Sequence, residues 1–277
     1  MREPNPITKA AMESGEPVFR EVGVGPWAQT HPDRPRPDRR GDPANFDPRY
    51  DTELLDNGDR RNVLDRYRYW TVAAIKADLD TQGRHSFEVA IENWTHDFNI
   101  GSMVRTANAF AAARVHIVGP HKWNRKGALM TELYQHIEHH PSIAELVDSW
   151  RERTAKNLAD AQAQAAEAAA RNDYSAAQAA EVLINRAKDA RIIAMDILPG
   201  AVPIETYHFP ERCLLLFGAE GPGLSDKALE LADDVVFISQ FGSVRSINAG
   251  AAAAVSMHAW ITQHAAPGTA DIATAID

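Results

Sequence analysis

The 277-residue sequence carries a single cysteine, no long uninterrupted apolar run and fewer basic than acidic side chains. Cys213 sits in Arg212-Cys213-Leu214-Leu215-Leu216-Phe217, the pattern of a buried strand. A lone thiol excludes an intramolecular disulfide framework and reads as core. No apolar stretch approaches the roughly 18 residues that a membrane-spanning helix needs. The N-terminal residues have neither a basic nor a greasy leader segment, so a cytoplasmic location and no membrane partner are expected. With 29 Lys and Arg against 38 Asp and Glu, the formal net charge is −9. In bulk this argues against nucleic acid, whose phosphates are met by Lys and Arg. The charges are unevenly spread, however. Acids concentrate at Glu205, Glu211, Glu220, Asp226, Glu230, Asp233 and Asp234, whereas bases cluster in 34–40, 60–68 and 122–126. A local basic surface on an acidic chain stays open.

The 44% hydrophobic content suffices for one full-sized domain, with room for an appendage. Residues 1–60 are rich in proline, as in Pro32-Asp33-Arg34-Pro35-Arg36-Pro37, and poor in large apolar side chains, which predicts an extended or disordered arm. Between Asn62 and Leu79, Val63, Tyr67, Trp70, Ala74 and Ala77 fall near one helical face. A domain over 61–277 follows, in which short apolar strands such as Val115-His116-Ile117-Val118 alternate with helical patterns. That alternation predicts an α/β fold, a mainly parallel sheet with helices on both faces. It is interrupted at about 155–190 by an Ala-rich insertion, predicted to form projecting helices broken near Asn172-Asp173.

Three segments have the look of chemistry. Asn93 to Phe110 runs from a strand end through a polar loop, with Asp97 or Asn99 as a candidate cap, into a helix bearing Arg105 on its second turn. Loops at the carboxyl ends of strands are where open α/β sheets bind ligands. Leu214 to Ser225 passes from a buried strand into Gly218-Ala219-Glu220-Gly221-Pro222-Gly223, a turn whose amides a ligand can approach closely. It matches neither a Walker loop nor a Rossmann fingerprint. Val235 to Val255 is a strand, a polar loop with Ser246 and Asn248, and a helix that opens on small residues.

Taken together, these segments resemble the signature motifs of the TrmH/SpoU class of SPOUT RNA 2′-O-methyltransferases, over roughly residues 87–263 without the insertion. The family patterns N-x-G-x-x-x-R-T-A-x-A-F, F-G-x-E-x-x-G-L-S and I-P-x-x-G-x-x-x-S-L-N are met in order. Asn99, Gly101, Arg105, Thr106, Ala107, Ala109 and Phe110 fill the first, and Phe217, Gly218, Glu220, Gly223, Leu224 and Ser225 the second. Ile238, Gly242, Ser246 and Asn248 fill the third. Ser239 stands where proline is usual, which is expected to loosen its loop. Ile247 for leucine and Ala111 for glycine read as conservative.

The resemblance implies a C-terminal trefoil knot, a homodimer through the knotted region, and S-adenosylmethionine as cofactor for methylating a ribose 2′-hydroxyl of tRNA or rRNA. It implies that Gly218, Ala219, Glu220, Gly223, Ile238, Gln240, Ser246 and Ile247 hold the cofactor. Arg105 would stabilise developing alkoxide charge and grip a phosphate, positioned by Asn99, Glu220, Ser246 and Asn248. RNA contacts are expected from Arg105 and from Lys122, Arg125 and Lys126 around Trp123, an aromatic that can stack on a base. Arg60, Arg61, Arg66 and Arg68 are weaker candidates, since Tyr67 and Trp70 beside them are expected in a core. No metal is expected. His136, His139 and His140 have spacings that put them near one face of a helix, read as solvated or RNA-facing surface. Two other classes stay open: a catalytically inactive RNA-binding protein of the same fold, betrayed by cofactor binding without turnover, and a nucleotide-dependent enzyme, betrayed by preference for ATP or NAD.

Overall fold

The computed structural model describes residues 5–16, 22–94 and 99–266. Asp97 lies outside them. The chain forms two compact units, Met1–Thr71 and Val72–Asp277, so the boundary falls after Thr71 rather than at residue 60.

The first unit holds helices α1 (Pro6–Glu13), α2 (Trp27–Thr30) and α3 (Thr52–Asn57). Where composition predicts an extended arm, Trp27, Leu55 and Tyr69 pack together as a small buried cluster. The hydroxyl of Tyr69 donates to the Gly25 carbonyl at 2.6 Å. Beside it the fully buried Asp59 carboxylate accepts from Arg61 Nε and Nη2 at 2.9 and 2.7 Å and from the Tyr69 amide at 3.0 Å. Burial pushes this carboxyl up, and the bonds from Arg61 and the amides more than reverse it, leaving its pKa below the ordinary value. Three widely spaced apolar residues and one buried ion pair are too sparse a signal for periodicity to detect. No α-helix covers Asn62 to Trp70, where only a short 3-10 turn, Asp65–Tyr67, forms. Tyr69 has φ +62°, a left-handed turn incompatible with a continuing helix, and α4 begins at Val72 and ends at Gln82.

The second unit is built on a seven-stranded parallel sheet, ordered β3-β2-β1-β6-β4-β7-β5. Its strands are β1 (His85–Glu92), β2 (Ala112–Val118), β3 (Ile137–His140), β4 (Arg191–Met195), β5 (Val202–Pro203), β6 (Cys213–Phe217) and β7 (Asp234–Phe237). β1 and β6 are adjacent although far apart in sequence: β2 and β3 continue outward from β1 on one side, while β7 follows β6 on the other side, beyond β4. In open α/β sheets ligands bind outside the carboxyl ends of the strands at such a change of direction.

Alternation along the strands sends side chains to two faces. Phe87, Val89 and Ile91 meet α5 (Ile100–Ala109) and α9 (Ala249–His264) through Met103, Val104, Met257 and Trp260. On the other face Ala90, Leu214 and Leu216 meet α6 (Ile143–Ala170) and α8 (Asp226–Leu231) through Leu146, Val147, Trp150 and Ala228. Cys213 is fully buried, and burial pushes its thiol far up, so it stays protonated and inert. The Ala-rich segment is the second half of α6 and the antiparallel α7 (Tyr174–Lys188), joined by a turn at Asn172, φ +54°, after which the Asp173 carboxylate caps α7 by accepting from the Ala176 amide at 3.0 Å.

Residues 137–140 form β3, not a helix. His139 therefore points to solvent and His140 inward, while His136 pairs with Asp80 at 2.9 Å. The helical spacing that grouped these three histidines does not operate.

Candidate active site

The start of α5 and the segments after β6 and β7 meet at the carboxyl end of the sheet. Asn99, at the start of α5, donates from its amide nitrogen to Glu220 Oε2 at 2.6 Å. Its oxygen accepts from Asn248 Nδ2 at 3.0 Å. An ionised carboxylate only accepts, so the Glu220 bond dictates which way the Asn99 amide faces. Asn248 in turn caps α9, accepting from the Gly250 and Ala251 amides at 3.0 and 3.2 Å. Gly250 eases the approach, because a Cβ would stand 2.8 Å from Ser102 Oγ, which would have to turn aside, and 3.5 Å from Asn99 Oδ1. The small residues opening α9 thus let it meet the first turn of α5.

The glycine-rich turn closes on itself. Ala219 N donates to Gly223 O at 3.1 Å and Gly223 N to Ala219 O at 3.0 Å. A Cβ on Gly218 would lie 2.0 Å from the Gly223 carbonyl carbon, which no side chain tolerates. The turn is pinned from below by Glu92, the last residue of β1 and 1% exposed. Its carboxylate accepts from Ser225 N at 2.7 Å, Ser225 Oγ at 2.8 Å and Trp94 Nε1 at 2.9 Å. Sequence reading passes over Glu92, since a strand-terminal acid looks like a solvated end. Its one signal is that an acid ends an otherwise apolar run.

After β7, Ile238 packs on the core and Gln240 Oε1 is buried with no hydrogen-bond partner among the described residues. Ser239, expected to loosen the loop, instead ties it down. Its hydroxyl donates to Glu205 Oε2 at 2.9 Å and its amide to Glu205 Oε1 at 3.3 Å, the second of which proline has no hydrogen to make. The Glu205 backbone amide and these two bonds hold that carboxyl below its ordinary pKa. Ser246 is exposed and makes no hydrogen bond among the described residues, and Ile247 is half-buried, so the structure does not join either to the Asn99 cluster.

Arg105 is exposed on α5, one turn beyond Ser102 on the same side, with no ion pair among the described residues. The basic loop lies against this helix. A Cβ on Gly101 would stand 2.8 Å from Ala128 N and 2.9 Å from Gly127 Cα. Lys122, Arg125 and Lys126 are exposed, whereas Trp123 is half-buried against the core, with the Arg125 guanidinium 6.0 Å from its ring centre. Of the weaker basic candidates, Arg61 is taken up by Asp59 and Arg68 by Asp65, at 3.2 Å. Tyr67 and Trp70 are buried, as expected.

A cavity of 320 Å³ lies at the opposite, amino ends of β1 and β6, lined by Ser86, Asp160, Gln164, Arg186 and Arg212 among others. It has no glycine-rich wall, and its two bases are paired, Arg186 with Glu211 and Arg212 with Glu88, so the strand carboxyl ends are the better candidate.

Residues 151–258 match the sequence model of the SpoU rRNA methylase family. The match takes in the second and third motif segments and leaves Asn99 and Arg105 outside. Similar solved structures include the SpoU methyltransferase AviRb from Streptomyces viridochromogenes in complex with the cofactor AdoMet, 24% identical, covering 65% of this chain and 58% of that one, TM-score 0.46. A second is the A. aeolicus TrmH/SpoU tRNA modifying enzyme, 14% identical over 69% and 81% of the two chains, TM-score 0.47. A third, concerned with 2-OH methylation of C/U34 on tRNA, is 20% identical over 65% and 97%, TM-score 0.47. This chain spans 58% and 63% of the length of the two AviRb structures. No curated protein matches it.

Proposed function

We propose that this chain, residues 151–258 of which match the SpoU rRNA methylase family model, transfers a methyl group from S-adenosylmethionine to a ribose 2′-hydroxyl of tRNA or rRNA. The observation that carries the reading is the hydrogen-bonded meeting of Asn99, Glu220 and Asn248, one residue from each motif segment. The methyltransferase domain is taken as Val72 onward, with the C-terminal segment knotted.

Two features of the strand carboxyl ends suit a nucleoside-sized ligand. Gln240 Oε1 is buried without a partner among the described residues, and the Cβ directions of Gly221 and Gly242 open onto empty space. Gly218, Ala219, Glu220 and Gly223 after β6, and Ile238, Gln240, Ser246 and Ile247 after β7, would hold the cofactor largely through main-chain groups. When bound, it supplies a methyl group on a sulfonium, already an excellent leaving centre.

The demanding task is therefore at the hydroxyl. A guanidinium such as that of Arg105 is a poor base. It stabilises negative charge developing on the ribose oxygen and grips the neighbouring phosphate, while water or a phosphate oxygen takes the proton. Asn99, Glu220 and Asn248 keep the starts of α5 and α9 and the glycine-rich turn in one arrangement, so that Arg105 and the cofactor loops face a common point. Lys122, Arg125 and Lys126, beside α5, would meet the RNA backbone. Phe241, Val244 and Val255, at 97%, 61% and 43% exposure, are apolar groups on or near α9 that a second copy of the chain would cover.

Calorimetric titration with S-adenosylmethionine, with ATP and NAD as controls, tests the reading. Saturable binding of S-adenosylmethionine alone is expected, and its absence at millimolar concentration overturns it.

A further inference from the structure

On the sheet face covered by α6, three adjacent strands bring Glu88, His116, Glu138 and His140 together. The register sets His116 of β2 opposite Glu138 of β3, and His140 follows Glu138 on the same face. Neither imidazole can reach bulk water: His116 is fully buried and His140 is 8% exposed.

The proton positions of this group are constrained. His116 Nε2 lies 2.7 Å from Glu88 Oε2. The tautomer that donates from Nε2 to Glu88 leaves Nδ1 a lone pair, and Nδ1 faces His140 Nε2 at 3.1 Å. The other nitrogen of His140, Nδ1, is buried without a hydrogen-bond partner, with Glu145 Oε1 at 3.8 Å. If His140 carries its proton on Nε2, Nδ1 is a buried acceptor with no donor. If the proton sits on Nδ1, toward Glu145, two lone pairs oppose each other and call for a cation between them.

Glu138 supplies a third donor to the same spot. Arg114 engages its Oε1, while Oε2 stands 3.5 Å from His116 Nδ1 and 3.8 Å from His140 Nε2. The point equidistant from three atoms separated by 3.1, 3.5 and 3.8 Å lies about 2.0 Å from each, a zinc–nitrogen or zinc–oxygen bond length. We propose that His116 Nδ1, His140 Nε2 and Glu138 Oε2 bind a zinc ion that clasps β2 to β3.

Two imidazoles and a carboxylate are a donor set suited to zinc rather than to magnesium or calcium. Glu88 stands behind the far nitrogen of His116 at hydrogen-bond distance, 2.7 Å, the arrangement that orients metal-bound histidines. Glu138 is 31% exposed at its side chain, which leaves water access to a fourth coordination position. Arg153, 3.1 Å from Glu88 and 3.7 Å from Glu138, balances the carboxylate charge and would draw back from Glu138 on binding. The proposal is independent of methyl transfer.

The test uses full-length protein stripped with a chelator, dialysed, and titrated with zinc sulfate by calorimetry, with cobalt(II) as a visible-absorption probe. Expected are one zinc per chain, a thermal midpoint that rises with zinc, and the d–d bands of low-coordinate cobalt. Stoichiometric binding should be lost in His140→Gln and Glu138→Gln, and Glu88→Gln should weaken affinity by about 10- to 100-fold. The half-exposed Glu138 variant guards against loss of fold, checked by circular dichroism, and the wild-type cobalt spectrum decides without any variant. Absence of uptake by wild-type protein at micromolar free zinc, meaning a shared proton only, overturns the proposal. So does equal uptake by wild type and both ligand variants.

Discussion

The amide nitrogen of Asn99 lies 2.6 Å from Glu220 Oε2, a bond that spans 121 residues of sequence. It joins the helix bearing Arg105 to the glycine-rich turn, and Asn248 extends the link to the cap of α9 at 3.0 Å. Glu220→Ala should therefore lower kcat for methyl transfer by about 10- to 100-fold, the scale of lost positioning. The effect should fall on kcat more than on KM for RNA, with the folded state intact because Glu220 is exposed. Steady-state kinetics with separately varied RNA and S-adenosylmethionine checks this. A loss confined to KM for RNA would make Glu220 an RNA contact instead.

Lys122→Ala, Arg125→Ala and Lys126→Ala together remove the exposed charges packed beside α5. If they meet phosphates, the slope of log affinity for RNA against log salt should become shallower by about one per lost contact. S-adenosylmethionine affinity should not change. Filter binding over a salt series measures the slope, and an unchanged slope places the RNA elsewhere.

Ala111 has φ +47°, in the left-handed region where an L side chain costs about 1 kcal/mol. The alanine that reads as conservative in sequence is thus strained, which is the physical reason glycine suits the position. Ala111→Gly should raise the free energy of unfolding by about 0.5–1 kcal/mol, as the relief of strain exceeds the added chain entropy of glycine. Urea unfolding gives the difference, and a lowered midpoint would contradict the assignment.

The buried Asp59–Arg61 pair makes the first unit sensitive to acid. The folded pKa of Asp59 is depressed, so its contribution is fully present above the unfolded value of about 3.9 and is lost as pH falls from there through the folded value. Asp59→Asn should destabilise by about 3 kcal/mol, since it strands Arg61, only 10% exposed at its side chain, without its counter-charge. Hydrogen exchange within 22–71 should accelerate in the variant, and in wild type below about pH 4. Unchanged exchange in Asp59→Asn would remove the pair from the fold's support.

How much was legible depends on how each element declares itself. β1, β2 and β6 were readable because strands buried on both faces are nearly continuous apolar runs, as in Leu214-Leu215-Leu216-Phe217. β3 was not, because Ile137-Glu138-His139-His140 is a short edge strand whose inward positions are polar. β5 is two residues long and exists only through its pairing with β7. The small core around Trp27, Leu55 and Tyr69 escaped notice because its members have no period. At the site, Asn99, Glu220 and Asn248 were legible only as members of motif segments, since nothing local says that they touch. Glu92 was missed because its worth lies in Ser225, 133 residues away.

The most direct test of the central claim is incubation of the protein with methyl-tritiated S-adenosylmethionine and total RNA, followed by digestion to nucleosides and mass spectrometry. Label on ribose 2′-oxygens of tRNA or rRNA is the predicted result, reduced by at least about 100-fold in Arg105→Ala, the cost of losing a transition-state charge partner. Label on a base, or equal labelling by wild type and Arg105→Ala, would contradict it.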